Sequence, residues 1–332
     1  MKPTISFPGL VQRFFTERLM QQRQASPHTI SSYRDTFRLL LRFAYKRLHK
    51  PPDHLAFEDI NAPLVTAFLN EMEQTRAISA RTRNLRLTAI RSFFRYAAFE
   101  APAYSAQIQR VLSMPGKRYN RALIHFLTRP EVKALLAAPD KRTWGGRRDH
   151  ALLLLAVETG LRVSEITGLA RDDVTLGTGA HVDVVGKGRK QRVTPFSKQT
   201  AVVLKSWMKE PGIPNSDALF PSVRGGHLSS DAVQHLLKKY TTKAANECPS
   251  LRKKRVTPHV LRHTAAMELL QAGVDPINIA LWMGHESLQT TQMYLEANLE
   301  LKEKILAKVE PRDSKSGRYR PEGKLATFLK AL

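Results

Sequence analysis

TPHVLRHTAAMELLQAG at residues 257–273, followed by MGHESLQTTQMY at residues 283–294, is the stretch on which the reading of this chain turns. Thr257 is a good N-cap, Pro258 suits the first helical position, and Gly273 follows the last residue of the apolar pattern. The segment therefore reads as a helix with His259 in its first turn and Arg262 one turn on, on the same face. The N-terminus of such a helix adds a partial positive charge and free N–H groups near that face. His285 follows Gly284 and falls in the loop between two helices, while Tyr294 comes after a short helix that Ser287 can cap. Trp282 and Met283 read as core.

Two upstream segments extend the pattern. In TGLRVSE, residues 159–165, Arg162 stands just past the glycine that ends an apolar helix over Asp149 to Glu158, and Glu165 is placed to orient it by a salt bridge. In HVDVVGKGRKQRVTPF, residues 181–196, alternation around a Gly-Lys-Gly turn reads as a hairpin with Lys187 at its tip. These residues form a cationic set around one phenol. A phosphodiester resists attack because its anion repels nucleophiles and its alkoxide leaves poorly. A catalyst must neutralise the non-bridging oxygens, supply a nucleophile and protonate the leaving oxygen. Arg162 and Arg262 suit the first task, because a guanidinium binds phosphate bidentately and stays charged. Tyr294 suits the second. Lys187 suits the third, with Arg189 and Lys190 as rivals on the same turn. His285 can hydrogen-bond the phosphate. Taken singly, each has a plainer explanation: a surface His-x-x-Arg, a tyrosine packed on Leu288 or Leu295, a solvated basic turn.

The chain of 332 residues is long enough for two domains, and its 53 Lys+Arg against 29 Asp+Glu leave a formal net charge of +24. Such an excess points to a polyanionic partner, and nucleic acid is the first candidate, because cations gain affinity by releasing counterions from phosphates; double-stranded DNA is the partner expected once the motifs below are weighed. One cysteine, Cys248, excludes a disulfide framework or zinc ribbon within the chain and suits a reducing cytoplasm. The longest apolar run, Ala151 to Val157, is far short of a membrane span.

Residues 1–105 read as a helical, DNA-contacting domain. Helices are expected over Phe7 to Gln22, from Ser26-Pro27 to about Leu48, over Pro63 to Gln74 and from near Ser79 to Phe99. The second shows a basic stripe of Arg34, Arg38, Arg42 and Lys46; the fourth carries Arg81, Arg83, Arg86, Arg91 and Arg95. Residues 106–125, with Pro115, Gly116, Lys117 and Arg118, read as a linker. A second domain is expected over 126–310, opening on a capping box of Thr128 and Glu131, with an amphipathic helix at Leu299 to Val309. Residues 311–332 read as a basic tail.

The joint order of TGLRVSEI, GKGRK, TPHVLRHTAA and MGHESLQTTQMY resembles the tyrosine recombinase (phage integrase) family across residues 128 to 296. SPHTISSYRDTFRLLLRFA, at residues 26–44, is similar to the helical core-binding domain of that family. The LEANLE after Tyr294 departs from the commoner Tyr-Thr-His ending. The resemblance implies a mainly α fold with a small β-sheet: a helical, SAM-like core-binding domain and an α+β catalytic domain. It also implies catalytic roles for Arg162, Lys187, His259, Arg262, His285 and Tyr294, with Glu165 bracing them and no metal or other cofactor. Tyr294 would form a 3′-phosphotyrosyl link, with His259 assisting proton transfer. The enzyme would work as a homo- or hetero-tetramer on two DNA sites, with accessory or partner recombinases possible. The role expected is integration, excision or transposition of a mobile element. The alternatives are Xer-type dimer resolution, type IB topoisomerase-like relaxation, and a DNA-binding protein that does not cleave.

Overall fold

The computed structural model describes residues 6–120, 124–186, 190–210, 216–285 and 289–297. They fall into two compact units, Met1–Ala122 and Leu123–Leu332.

In the first unit, helices begin where side chains accept the unpaired N–H groups of a first turn. Ser6 caps α1 (Phe7–Arg13), Ser26 caps α2 (Pro27–Leu48), Asn61 caps α3 (Ala62–Arg76) and Ser79 caps α4 (Ala80–Glu100). α1 runs without a break into a π-helical segment, Phe14–Gln22, whose wider turn puts both Phe14 and Leu19 in the core. Phe93 of α4 is the centre of that core. Its ring lies 5.4–6.5 Å from those of Phe7, Phe14, Phe37, Phe57 and Phe94. Edge-on aromatic pairs of this kind contribute about 0.5–1.5 kcal/mol each beyond their area.

The basic stripe of α2 is on the surface: Arg34, Arg38, Arg42 and Lys46 are all exposed. On α4, Arg81 is exposed and Arg86 half-buried, but Arg83 is 6 % exposed and paired with Glu73 at 3.3 Å. The expectation of a DNA-contacting Arg83 is therefore corrected. Arg83 lies on the inward stripe that continues through Leu87 and Ile90, so its helical position points it at the protein.

The expected linker also begins too early. Residues from 105 form a further helix, α5 (Ser105–Leu112), with Ile108 and Val111 in the core. Beyond it, the Asn84 side chain accepts from the Lys117 N–H at 2.9 Å and donates to the Lys117 carbonyl at 2.8 Å. The first unit therefore holds its chain well past residue 105.

The second unit opens on α6 (Arg129–Ala137), with the Thr128 and Glu131 capping box in place. α7 (Trp144–Thr159) is its central helix and ends at Gly160 in the left-handed conformation, φ 64°. α8 (Val163–Gly168) leads into an antiparallel sheet of β1 (Val174–Thr175), β2 (His181–Val185) and β3 (Gln191–Pro195), in that order. The β2–β3 register runs from His181 opposite Pro195 to Val185 opposite Gln191. Helices α9 (Lys198–Met208), α10 (Ser230–Ala244), α11 (Pro258–Gln271), α12 (Pro276–Met283) and α13 (Gln289–Ala297) follow. α10 is fixed to α7 by the buried Tyr240 hydroxyl, which donates to Asp149 at 2.8 Å.

The apolar interior of this unit has two parts. The larger surrounds α7; the smaller holds Ala266, Met267, Leu270, Ile279, Met283 and Tyr294. α11 supplies both, with Val260 and Leu261 to the first and Ala266, Met267 and Leu270 to the second. A helix apolar on nearly every side can be buried on nearly every side. The architecture is the mainly helical one with a small sheet that the sequence implied.

Gly160 is needed twice over, for its positive φ and for space. A Cβ there would lie 2.8 Å from Met283 Cε and 3.0 Å from Ala265 Cβ. Gly160→Ala should lower stability by about 1–3 kcal/mol, measured by denaturant unfolding. A midpoint equal to that of the parent protein would show that the α7–α11 contact tolerates the extra carbon.

Candidate active site

Glu165 organises the charged side of the site. It is buried, and α8 starts so that its Oε2 accepts the backbone N–H of Arg162 at 2.8 Å. Its Oε1 accepts Arg162 Nη1 at 2.8 Å. Arg192 on β3 approaches from the other side, with Nη1 to Oε1 at 3.0 Å and Nη2 to Oε2 at 2.7 Å. Burial alone would raise the Glu165 pKa. The Arg192 side chain, the Arg162 N–H and the Arg162 side chain outweigh it and bring it down to about 2. Glu165 is an anion at any working pH. Arg162 Nη2 donates to the Gly284 carbonyl at 3.0 Å. Gly284 lies at φ 61°, and a Cβ there would sit 2.9 Å from Arg192 Nη1, so the loop closes on the two arginines only with glycine at this position.

Arg262 is 5 % exposed. A guanidinium enters this interior because two carbonyls receive it: Gly160 accepts Nη1 at 2.6 Å, and Met283 accepts Nη2. Both carbonyls are at helix ends, where backbone acceptors lack intrahelical partners. Burial first, and then the field of Arg162, push Arg262 down to about 10, which leaves it charged at neutral pH. Each guanidinium has five N–H donors, so these contacts leave others for an anion.

Tyr294 lies beside this pair, 1 % exposed. Burial raises its pKa, and the nearby Arg262 and Arg162 offset only part of that rise. Its hydroxyl is 3.1 Å from His263 Nδ1, with the two rings edge to face at 5.6 Å. His285 stacks on the phenol ring at 6.2 Å and an interplanar angle of 11°. His285 Nδ1 is 2.9 Å from the hydroxyl of Thr291, which is itself buried on α13 one turn before the tyrosine. Both imidazoles are neutral at pH 7. His263 is lowered to about 4 by burial, then by His259 and Arg262; His285 is lowered to about 4 by burial, then by Arg262 and Arg162.

The structure thus gathers Arg162, Glu165, Arg262, His285 and Tyr294 at one place. Tyr294 is within α13 rather than beyond a short helix, and the expected cap Ser287 is outside the described residues. His259 is exposed, and its side chain makes no hydrogen bond among the described residues. Lys187 and Arg189 are outside the described residues, as are the helix expected at 299–309 and the tail; Lys190 is exposed at the end of the turn. Two site residues escaped the sequence reading, His263 and Arg192. Their signals were present. His263 is one helical turn from His259, and strand alternation puts Arg192 on the same inward face as Thr194.

Comparison with known proteins gives the following. Residues 125–300 match the phage integrase family, and residues 12–101 match the phage integrase N-terminal SAM-like domain. A protein of Sinorhizobium fredii named as an integrase/recombinase is 63 % identical over 98 % of each chain. The tyrosine recombinase XerC of Pelotomaculum thermopropionicum is 32 % identical over 90 % of this chain and 97 % of its own. Among solved structures, the XerH site-specific recombinase bound to palindromic difH substrate aligns with a TM-score of 0.66 at 22 % identity, covering 86 % of this chain and 81 % of that one. Lambda integrase residues 75–356, solved as a dimer bound to a COC′ core site, align with a TM-score of 0.64 at 17 % identity, covering 94 % and 100 %. These two structures share the fold.

The site should make the protein acid-labile in two steps. His263 and His285 are depressed from 6.5 to about 4, so the stability tied to their neutral forms is present above pH 6.5 and lost as pH falls through about 4. Glu165 is depressed from 4.5 to about 2, so its share is lost lower, as pH falls through about 2. The thermal unfolding midpoint should fall from pH 6.5 towards 4. A variant with both histidines changed to Asn should have a flatter profile there. A wild-type midpoint that is level across this range would contradict the burial of the two rings.

Proposed function

The chain belongs to the phage integrase family, and from that membership we propose that it cleaves and rejoins duplex DNA at specific sites with Tyr294 as the nucleophile. One observation carries the reading: the phenol of Tyr294 lies within the combined field of Arg162 and Arg262, with two imidazoles against it.

Arg162 and Arg262 bind the non-bridging oxygens of the scissile phosphate and hold the charge that grows in the transition state. Glu165 keeps Arg162 aimed, with Arg192 on its far side. Neutral His285, its Nδ1 accepting from Thr291, keeps an Nε2–H to donate to the phosphate. The Tyr294 oxygen attacks phosphorus, the bond to the 5′ oxygen breaks, and Lys187 protonates that oxygen. The 3′-phosphotyrosyl link conserves bond energy, and a 5′-hydroxyl from a partner strand reverses the step. At 1 % exposure, Tyr294 meets DNA only after the side chains covering it shift.

Exposed Arg34, Arg38, Arg42 and Arg81 in the first unit, and Arg189 and Lys190 on the hairpin, contact DNA phosphates. The working assembly is a tetramer on two double-stranded sites, acting in the cytoplasm; no described helix is long and apolar enough to cross a membrane. The relative at 63 % identity, named as an integrase/recombinase, favours a mobile-element role. The XerC proteins at about 30 % identity support dimer resolution as a second reading.

Tyr294→Phe should abolish covalent attachment to a nicked suicide duplex and leave DNA affinity nearly unchanged, because only the phenolic oxygen is lost. A denaturation-resistant band of wild-type intensity from the variant would move the nucleophile elsewhere. Lys187→Ala should slow cleavage by about 10² to 10⁴ and recover on a substrate with a 5′-bridging sulfur, whose leaving group needs no proton. Arg262→Ala should not recover on it. Sulfur rescue of Lys190→Ala in place of Lys187→Ala would reassign the acid.

A further inference from the structure

We propose that Arg192 is a positioning residue for cleavage: it backs both groups that aim Arg162 at the scissile phosphate. The inference rests on the reading of Arg162 as a phosphate clamp and adds the residue that holds the clamp in place.

The Arg162 side chain has two hydrogen-bond partners among the described residues. Nη1 donates to Glu165 Oε1 at 2.8 Å, and Nη2 donates to the Gly284 carbonyl at 3.0 Å. Arg192 stands behind each of them. Its fork closes on the carboxylate, Nη1 to Oε1 at 3.0 Å and Nη2 to Oε2 at 2.7 Å. The same side chain lies against Gly284 so closely that a Cβ there would be 2.9 Å from Nη1 and 3.2 Å from Cδ. Gly186 meets it from the hairpin, where a Cβ would be 3.0 Å from Nη1 and 3.4 Å from Glu165 Oε1. Gly186 follows β2, and its N–H donates at 2.8 Å to the carbonyl of Lys190, the residue before β3. One guanidinium therefore fills the space between α8, the hairpin and the loop after α12.

Exposure separates the two arginines. The Arg162 side chain is 28 % exposed and can meet a phosphate; that of Arg192 is 14 % exposed, with both outer nitrogens already on Glu165. Arg192 Nε is buried and has no hydrogen-bond partner among the described residues. The side chain is thus placed for its fork and not for its own full satisfaction. Charge points the same way. Burial works to raise the Glu165 pKa, and the Arg192 hydrogen bonds are the largest effect against it, ahead of those from Arg162. Glu165 remains the anion that Arg162 needs chiefly because of Arg192. Strand alternation delivers the residue: Arg192 pairs with Val184 in the β2–β3 register and shares its face with the buried Thr194. A lysine does not replace it, since an ammonium lacks the planar fork that takes both carboxylate oxygens. A clamp misplaced by about 1 Å costs about 10² in rate.

The test uses the full chain and a nicked suicide duplex whose sequence is selected from a random pool by binding to the Tyr294→Phe protein. The scissile position carries either the natural phosphate or one of the two methylphosphonate isomers, in which a neutral methyl replaces one non-bridging oxygen. Single-turnover adduct formation is compared for wild type, Arg162→Ala, Arg192→Met and Arg192→Lys, with DNA affinity and the thermal unfolding midpoint measured alongside. The isomer without the oxygen that Arg162 holds should relieve Arg162→Ala, because the missing cation then has no charge to neutralise. Arg192→Met should bind DNA like the wild type and cleave the natural phosphate about 10²-fold more slowly. It should approach the wild-type rate on the isomer that relieves Arg162→Ala, a recovery that a general loss of structure would not give. Arg192→Lys, which keeps the charge and loses the fork, should show the same pattern. Wild-type speed of either variant on the natural phosphate, or no relief on that isomer, overturns the proposal. If Arg192→Met fails to fold or to bind DNA, Arg192→Lys decides by the same two criteria. If the wild type forms no adduct, or neither isomer relieves Arg162→Ala, the functional reading fails and takes this inference with it. An adduct from the wild type and relief of Arg162→Ala, without relief of the Arg192 variants, sinks the inference alone.

Discussion

The buried Glu165 carboxylate, shared between two guanidinium groups, is the interaction on which the site depends. Four hydrogen bonds reach it, from Arg162 and Arg192. Without that anion, two cations would face each other in a poorly solvated place. Removing one partner of a buried ionic group costs about 3–5 kcal/mol, because the remaining charge is left uncompensated. The same carboxylate caps α8, so helix start, strand β3 and the Arg162 side chain share one anchor. The order GLRVSE is enough to build half of it, since Arg162 and Glu165 sit at the two ends of one capping turn.

Arg262 follows a different logic. No carboxylate pairs with it among the described residues; carbonyls at the ends of α7 and α12 hold it. Its position is thus set by where those two helices stop, which the glycines at 160 and 284 decide. The charge of Arg262 is only partly compensated by dipoles, and that leaves the pocket ready for an anion. A phosphate bound there, as proposed, would replace a missing counter-charge. Burial raises the phenol against that positive field, while burial and the field together lower the imidazoles around it.

Much of this was readable from the chain. N-caps at Ser26 and Thr257, and glycines after α7 and α12, located helices because capping is a local property of sequence. Arg162, Glu165, Arg262, His285 and Tyr294, picked out in the sequence, lie together in the second unit. What failed depended on which face a residue turns. Arg83 looked like one more cation on a basic helix, yet its place in line with Leu87 and Ile90 sends it inward. His259 and His263 are both on α11, and only the packing of α13 against that helix selects His263 for contact with the phenol. Arg192 was passed over because the hairpin was read for its tip, while the strand buries alternate residues. The early end assigned to the first domain reflects α5, too short to display a periodic pattern.

The account claims that two arginines, held by unrelated means, are aimed at one phosphate. The most direct measurement is a crystal structure of Tyr294→Phe protein on the selected duplex. The predicted result places non-bridging oxygens of a single phosphate within about 2.7–3.2 Å of N–H groups on both Arg162 and Arg262, with Glu165 still bound to Arg192. A phosphate bound by other residues, while both arginines remain only on Glu165 and the helix-end carbonyls, would contradict it.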